Sequence, residues 1–157
     1  VEHVRARVPE GARVAEFYAG VGAIGLSLLA GVSELRMNEL SPHSLQGMAL
    51  GLADLDSESR ARVGVVPGPA GEALQAAADA DVVIADPPRK GLDRPLLEHL
   101  GDEPPECLLY VSCGLESLLS DVARLTAGGR LRLASLAAFN LMPFTEHVET
   151  VACFERA

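Results

Sequence analysis

The sequence predicts an α/β fold, a three-layer sandwich in which helices cover both faces of a mostly parallel seven-stranded sheet. Short β-rich runs alternate with helical patterns along the chain, and such alternation requires crossover connections between parallel strands. A glycine-rich turn follows the first run, at the sheet edge where α/β proteins bind ligands. Only the short segment 137–148 joins the last two runs, so we expect the last strand to be antiparallel.

Each predicted strand is a short run rich in β-branched or other apolar residues. The seven runs are Arg13–Tyr18, Leu35–Glu39, Val63–Val66, Asp81–Ala85, Cys107–Ser112, Arg130–Leu136 and Glu149–Glu155. The last two are expected to form an antiparallel, hairpin-like pair at one side of the sheet.

Five helical segments are expected between the strands. Ser41 followed by Pro42 is typical of a helix start, because the hydroxyl caps a backbone amide and proline presets the first turn. Gly31 and the pair Gly128-Gly129 suit helix ends. No repeat or linker interrupts the alternation, so we expect residues 1–157 to form a single domain. The helical segments are Ala23–Ala30, Pro42–Ala53, Gly71–Ala78, Asp93–Leu100 and Leu115–Thr126.

The composition is that of an ordinary globular domain, with 48% hydrophobic and 22% charged residues. Disordered and fibrous classes are therefore excluded. A chain of 157 residues buries roughly two-thirds of its unfolded surface in one core, which leaves no room for a second domain. The chain starts with Val1 rather than methionine and has no apolar signal segment, so we expect it to be cut from something longer.

The charge balance limits what this domain can bind unaided. Lysine and arginine contribute 13 positive charges against 22 carboxylates, for a net charge of −9. A domain this acidic repels a phosphate backbone at long range, since nonspecific affinity for nucleic acid comes mainly from clustered lysine and arginine. Tight RNA binding would therefore need an additional domain or a partner.

Residue counts argue against metals, disulfides and membranes. Three cysteines and four histidines show no spacing typical of zinc ligands or of a disulfide framework. We expect no metal, and we expect a reducing cytoplasm as the location. The longest uncharged run, 17–33, contains four glycines and is flanked by Glu16 and Glu34 without basic anchors, so we do not expect it to span a membrane.

The turn after the first strand is a candidate cofactor loop. Gly20, Gly22 and Gly25 match the GxGxxG pattern of dinucleotide sites, and Glu39 ends the next strand, where an acid can hold a ribose diol. Glu16, however, lies just ahead of the turn, and its carboxylate would oppose a pyrophosphate at the helix N-terminus.

S-adenosylmethionine fits these charges better than a dinucleotide does. It carries no phosphate, and its sulfonium and ammonium groups are complementary to the carboxylates of Glu16, Glu39 and Asp86. The alternative is that the glycines serve only a tight turn.

A rigid loop, Asp86-Pro87-Pro88-Arg89, follows the fourth predicted strand. Its two prolines remove two backbone donors and stiffen the chain, which favours a wall beside a ligand. An aromatic residue after Asp-Pro-Pro would suggest amino-group methylation, with the ring stacking on a flipped base, but Arg89 stands there. Alternatively, Asp86 only caps the following helix or turn.

Cys113 stands where the fifth strand ends and the next helix begins, between Ser112 and Gly114. A helix dipole favours a thiolate at such a position, so Cys113 is a candidate nucleophile. Cys107 and Cys153 lie inside apolar strands and are expected to be inert core residues.

Glu149 lies at the start of the last strand. Because that strand runs antiparallel, its start lies at the edge where the parallel strands end, so Glu149 and Cys113 can face one cavity. Strand alternation puts His147 on the same side as Glu149, and we expect this histidine to be a neighbour or a core-edge residue rather than a catalyst. Alternatively, Glu149 is a solvated glutamate at a strand start.

Four segments form a larger pattern, namely Glu16–Gly22, Asp86–Asp93, Tyr110–Cys113 and Pro143–Thr150. In this order they resemble the family of RNA uracil-5 methyltransferases, which make 5-methyluridine in transfer and ribosomal RNA. The resemblance spans nearly the whole chain. It implies a Rossmann-like S-adenosylmethionine methyltransferase fold and an RNA substrate.

The resemblance also implies a role for each candidate residue. A cysteine thiolate would add to C6 of uracil, which activates C5 to take the methyl group, and a glutamate would remove the C5 proton before the cysteine leaves. The target base must be splayed out of the RNA to reach such a pocket. The implied residues are Tyr18, Gly20, Gly22, Glu39 and Asp86 for the cofactor pocket, Cys113 as nucleophile and Glu149 as general base.

The chain departs from the family pattern in three respects. Gly114-Leu115 stands where the family usually has Asn-Pro, and Ala23 replaces a small polar residue of the cofactor loop. The upstream RNA-binding region and the glutamine-bearing segment of the family are not in this sequence. The resemblance therefore covers the catalytic domain only.

Other functions remain open on the sequence. One is a cofactor-binding remnant or assembly module that no longer turns over. A nicotinamide oxidoreductase would also use the glycine loop. Cytosine-5 RNA methylation usually places a cysteine in the fourth-strand motif, which Asp86–Arg89 lacks. Methylation of a protein or small molecule is a further alternative, against which Cys113 argues.

Overall fold

The computed structural model describes residues 1–141, 144–145 and 148–157. Its strands are β1 Ala12–Phe17, β2 Val32–Glu39, β3 Val63–Pro67, β4 Val82–Ala85, β5 Cys107–Ser112, β6 Leu131–Phe139 and β7 Glu149–Arg156. They form one sheet in the order β3-β2-β1-β4-β5-β7-β6. Strands β1 to β5 pair in parallel, whereas β7 is antiparallel to both β5 and β6. The predicted α/β fold, with its seven strands and antiparallel last strand, is confirmed.

The helices are α1 Glu2–Arg5, α2 Ala23–Leu28, α3 Pro42–Ala53, α4 Ser57–Ala61, α5 Arg94–Asp102 and α6 Leu115–Ala127. Four of them match predicted helices, whereas α1 and α4 were not predicted. Both are only four or five residues long, too short to show a helical period. The predicted cap of α3 is present, since the Ser44 amide donates to the Ser41 hydroxyl at 3.4 Å.

The predicted helix over 71–78 is wrong. The chain there forms two short 3₁₀ segments, Ala70–Glu72 and Leu74–Ala77. The Arg36 guanidinium donates a hydrogen bond to the Ala78 carbonyl. A side chain from β2 therefore holds the end of this segment, at a carbonyl that would have had no partner within a helix ending at Ala78. Local periodicity cannot show a partner that lies so far away in the sequence.

Helices cover both faces of the sheet, which confirms the three layers. The α2/α3 face takes its name from the helices whose buried residues, including Leu28 and Met48, pack there against Ile84 of β4. On the opposite α5/α6 face, α5 and α6 contribute buried residues such as Leu96 and Leu118. Each large apolar side chain that is fully buried contributes about 1.5–3 kcal/mol, so both layers hold the sheet rigid.

One edge of the sheet collects the loops that matter for function. The carboxyl ends of β1, β2, β4 and β5 meet there, together with the start of β7. Within the ranges that the structure describes, none of the helices is long and apolar enough to cross a membrane.

Candidate active site at the carboxyl edge of the sheet

The register between β5 and β7 brings Cys113 and Glu149 together. Ser112 pairs with Thr150, and the Thr150 hydroxyl donates to the Ser112 carbonyl at 3.0 Å. Cys113 and Glu149 are the next residues beyond this last pair of the ladder. Both therefore lie at the same edge of the sheet, where they line one cavity.

A cavity of about 860 Å³ opens over this pair on the α2/α3 face. Three of the residues proposed for the site line it, namely Asp86, Cys113 and Glu149. Cys113 is half-buried and lies two residues before α6 begins. Most of the other lining residues are apolar: Val1, Val4, Ile24, Val111, Phe139, Leu141 and Val151. A thiol and two carboxyl groups therefore border one cavity whose walls are otherwise mostly apolar.

Asp86 lines this cavity and is exposed to solvent. Desolvation raises its pKa to about 6, and the negative charge of Glu149 adds to the increase. Each cause disfavours the charged form of the carboxyl group. A ligand with a positive charge near Asp86 would relieve both.

Glu16 is a fully buried carboxyl group at the end of β1, with 1% of its surface exposed. It accepts a hydrogen bond from the Gly25 amide at 3.0 Å, and a Cβ atom at Gly25 would lie only 2.3 Å from its oxygen. Burial raises the pKa of Glu16 to about 8 despite that hydrogen bond, and the charges of Asp86 and Glu39 raise it further. The carboxyl group therefore ties the glycine loop to β1.

A second cavity, of about 570 Å³, is lined by two more of the predicted cofactor residues, whereas Gly20 and Gly22 line neither of these two cavities. Glu39 and Tyr18 both line it. Glu39 accepts hydrogen bonds from the Gly20 amide at 2.7 Å and from the Ser41 amide at 2.6 Å, so its carboxylate fixes the glycine loop against the start of α3. Much of the remaining wall is apolar, from Leu40, Pro42, Pro69, Ala70 and Pro88.

Tyr18 has a structural contact that the sequence did not indicate. Its hydroxyl accepts a hydrogen bond from the Asp93 amide at 2.9 Å. Burial raises its pKa to about 12, so the hydroxyl stays protonated and available for a further hydrogen bond. Tyr18 thus joins the glycine loop to the loop that carries Asp86.

Two buried residues, Tyr110 and Asp121, were assigned no role from the sequence and are hydrogen-bonded to each other. Asp121 of α6 accepts hydrogen bonds from the Tyr110 hydroxyl at 2.7 Å and from the Leu92 amide at 3.0 Å. A signal was present, because Asp121 lies in the buried stripe of α6 between Leu118 and Leu125, where an apolar residue is expected.

Some predicted features lie elsewhere or outside the described residues. His147 and the start of the segment Pro143–Thr150 are outside them. Cys107 and Cys153 are free thiols whose sulfur atoms lie 3.8 Å apart, and neither lines the cavity of Cys113. Burial raises the pKa of Cys107 to about 12, which keeps its thiol protonated. Among the residues that the structure describes, no group of three or more metal-ligating side chains is found.

The fold and the glycine loop define a Rossmann-like methyltransferase class, and known proteins agree. The tRNA m1A22 methyltransferase of B. subtilis shares this fold, with a TM-score of 0.78 at 15% identity over 99% of this chain and 64% of that one. The sequence model described as tRNA (uracil-5-)-methyltransferase matches residues 73–157, more than half of the chain. The chain therefore belongs to the tRNA (uracil-5-)-methyltransferase family.

Individual relatives agree with this assignment. An uncharacterized RNA methyltransferase of Protochlamydia amoebophila is 39% identical over 99% of this chain and 40% of its own length. The 23S rRNA (uracil(1939)-C(5))-methyltransferase RlmD of Chromohalobacter salexigens is 36% identical over 92% of this chain and 29% of its own. The chain thus spans less than half the length of these relatives.

A solved structure of a related enzyme matches as well. The tRNA (uracil-54, C5)-methyltransferase of Pyrococcus abyssi, in complex with S-adenosyl-L-homocysteine, superposes with a TM-score of 0.77 at 25% identity. The match covers 98% of this chain and 36% of that one. The predicted family and fold are therefore both confirmed.

Proposed function

We propose that residues 1–157 form the catalytic domain of an enzyme that methylates C5 of uridine in RNA, with S-adenosylmethionine as methyl donor. The observation that carries the proposal is that Cys113 and Glu149, each one residue beyond the last pair of the β5/β7 ladder, line a single cavity. Two relatives whose names specify uracil C5 methylation support the choice of base.

The residues at the sheet edge fit S-adenosylmethionine. Glu39 lies in an apolar cavity of nucleoside size, where its carboxylate is proposed to hold the ribose diol. Asp86 is a carboxyl group whose pKa is raised by desolvation and further by the negative charge of Glu149. The positively charged sulfonium and ammonium groups would oppose both effects. When bound, S-adenosylmethionine supplies an electrophilic methyl group.

Cys113 and Glu149 divide the remaining chemistry. C5 of uracil is a poor nucleophile until a thiolate adds to C6, which is the role proposed for Cys113. Once C5 carries the methyl group, Glu149 takes its proton, and elimination of the cysteine restores the ring. The apolar walls keep water from the adduct and give the flat base a surface to lie on.

RNA binding by this chain alone is expected to be weak. The net charge of −9 opposes a phosphate backbone, and unstacking the target base costs a few kcal/mol. The relatives named above are more than twice as long. We propose that an additional domain or a partner supplies the RNA-binding surface, and that the enzyme works in the cytoplasm, where its thiols stay reduced.

The test is methyl transfer from labelled S-adenosylmethionine to uridine-containing RNA, followed by nucleoside analysis. The proposal expects 5-methyluridine as the labelled product. Calorimetry with S-adenosylmethionine is run in parallel. Cofactor binding without methyl transfer, even in excess RNA, would instead favour a cofactor-binding module without independent catalysis. Label in cytidine or in protein would overturn the proposal.

A further inference from the structure

The loop that joins β4 to α5, residues 86–93, is held at its far end by α6. The Leu92 amide donates to the Asp121 carboxylate at 3.0 Å, and the same carboxylate oxygen accepts from the Tyr110 hydroxyl at 2.7 Å. Asp121 is 6% exposed and Tyr110 is fully buried. Burying a carboxylate is destabilising unless its oxygens are hydrogen-bonded, so the contacts with Leu92 and Tyr110 offset the cost of burying Asp121.

Close approach of backbone shows how tightly the loop is seated. A Cβ atom at Gly91 would lie 2.6 Å from the Asp121 carboxylate, and Gly91 has a φ of +88°, which favours glycine. A Cβ atom at Gly114 would lie 2.9 Å from the Arg89 carbonyl. The loop therefore packs against α6 and also against the residue that follows Cys113.

A second hydrogen bond fastens the same end of the loop to the cofactor side. The Asp93 amide donates to the Tyr18 hydroxyl, and Tyr18 borders the glycine loop with a strained φ of +60°. Consecutive amides, at Leu92 and Asp93, are thus held by side chains from two different elements. The first half of the loop carries Asp86 to the cavity, and the second half anchors it.

We propose that Asp121 is a positioning residue, which holds loop 86–93 against α6 and thereby sets where Asp86 lies relative to the cofactor cavity and Cys113. It touches neither substrate nor cofactor itself. Its effect on methyl donor binding rests on the proposed function, whereas its effect on the loop does not.

The test compares Asp121→Ala and Asp121→Asn with a matched control, Leu125→Ala. Leu125 lies one turn further along the buried face of α6, and its side chain cannot hydrogen-bond to the loop. Two quantities are measured without RNA or turnover: hydrogen exchange of the Leu92 and Asp93 amides, and calorimetric affinity for S-adenosylmethionine. Thermal unfolding is recorded for each variant, so that its changes in exchange rate and in affinity are compared with its loss of stability.

We expect Asp121→Ala to speed exchange at Leu92 by at least tenfold and to weaken the cofactor about tenfold, with Asp121→Asn recovering part of both losses. Leu125→Ala should change neither by more than about twofold. Should Asp121→Ala not fold, Tyr110→Phe takes its place, since it removes one partner of the carboxylate and should accelerate the same exchange.

Two results would overturn the inference: Leu92 exchange that stays at the wild-type rate, or equal effects of the Asp121 and Leu125 substitutions on cofactor affinity. If the wild-type chain binds no S-adenosylmethionine while Leu92 exchange responds as expected, the proposed function fails and the anchoring role of Asp121 stands.

Discussion

Two groups of polar side chains near the same edge of the sheet, one on each face, differ in their access to solvent. On the α2/α3 face, Asp86, Cys113 and Glu149 border an open cavity. On the α5/α6 face, Tyr110 and Asp121 are buried and hydrogen-bonded to each other and to the adjoining loop. A ligand can therefore reach the first three side chains, which are the ones proposed to react, whereas protein atoms surround Tyr110 and Asp121.

The largest effect is expected at the nucleophile. Cys113→Ala should lower methyl transfer on the order of 10⁴-fold or more, because no other group on the open face can add to C6. Thermal unfolding should change little, since Cys113 is only half-buried. Cys107→Ala at the opposite end of β5 is the control and should keep its turnover. Equal losses in the two variants would mean that the thiol of Cys113 has no chemical role.

Glu149→Gln should affect a later step than the cysteine variant does. Removal of the C5 proton by a positioned base contributes about 10²–10⁴-fold, so methyl transfer should fall by that factor. The Cys113 thiolate should still add to C6 of 5-fluorouridine in RNA, a base that traps the adduct, at nearly the wild-type extent. Glu155→Gln, at the far end of β7, serves as the matched control and should leave turnover unchanged. Complete loss of addition in Glu149→Gln would contradict this division of roles.

Substitution of Glu16 is expected to change the stability of the protein rather than its turnover. Its pKa in the folded protein, about 8, exceeds the ordinary value of 4.5. The contribution of Glu16 to the free energy of unfolding is therefore full below the ordinary value and is lost as pH rises through 8, by up to roughly 5 kcal/mol for such a shift.

Unfolding free energies from pH 5 to 9 check this linkage. Glu16→Gln should flatten the profile and should be more stable than wild type at pH 9, with the advantage vanishing towards pH 5. Glu10→Gln, at a surface position, is the control. Parallel profiles for wild type and Glu16→Gln would refute the assignment.

The smallest expected effect concerns Asp86. Its pKa of about 6 means that its carboxyl group becomes negatively charged as pH rises from 5 to 7. Affinity for the positively charged methyl donor should therefore rise about tenfold over that range, as expected for one new charge interaction. Calorimetry of Asp86→Asn should show a weaker affinity without this rise. A rise of equal size in the variant would assign the titration to another group.

Local sequence patterns predicted the elements that rest on local causes. The β-rich runs at β1, β4 and β5 predicted these strands. No helical pattern precedes Glu149 in the sequence, and this predicted the direction of β7. The predicted positions of the strand ends placed Asp86, Cys113 and Glu149 at one edge of the sheet, because the topology alone decides where strand ends meet.

Patterns failed where a distant partner decides the structure. The Arg36 side chain donates a hydrogen bond to the carbonyl at the end of segment 71–78, and nothing in the sequence of that segment indicates this contact. The contact between Asp121 and Leu92 joins residues 29 positions apart. The resemblance brought out Asp86–Asp93 as one motif, but only the structure separates its half at the cavity from its anchored half.

The most direct test that Cys113 is the nucleophile uses RNA that contains 5-fluorouridine. Fluorine replaces hydrogen at C5 of this base, so no proton can be removed there after methyl transfer. With S-adenosylmethionine present, mass spectrometry should find a stable RNA adduct on the peptide that contains Cys113, and none in Cys113→Ala. No adduct despite verified RNA binding, or an adduct on Cys107 or Cys153, would contradict the account.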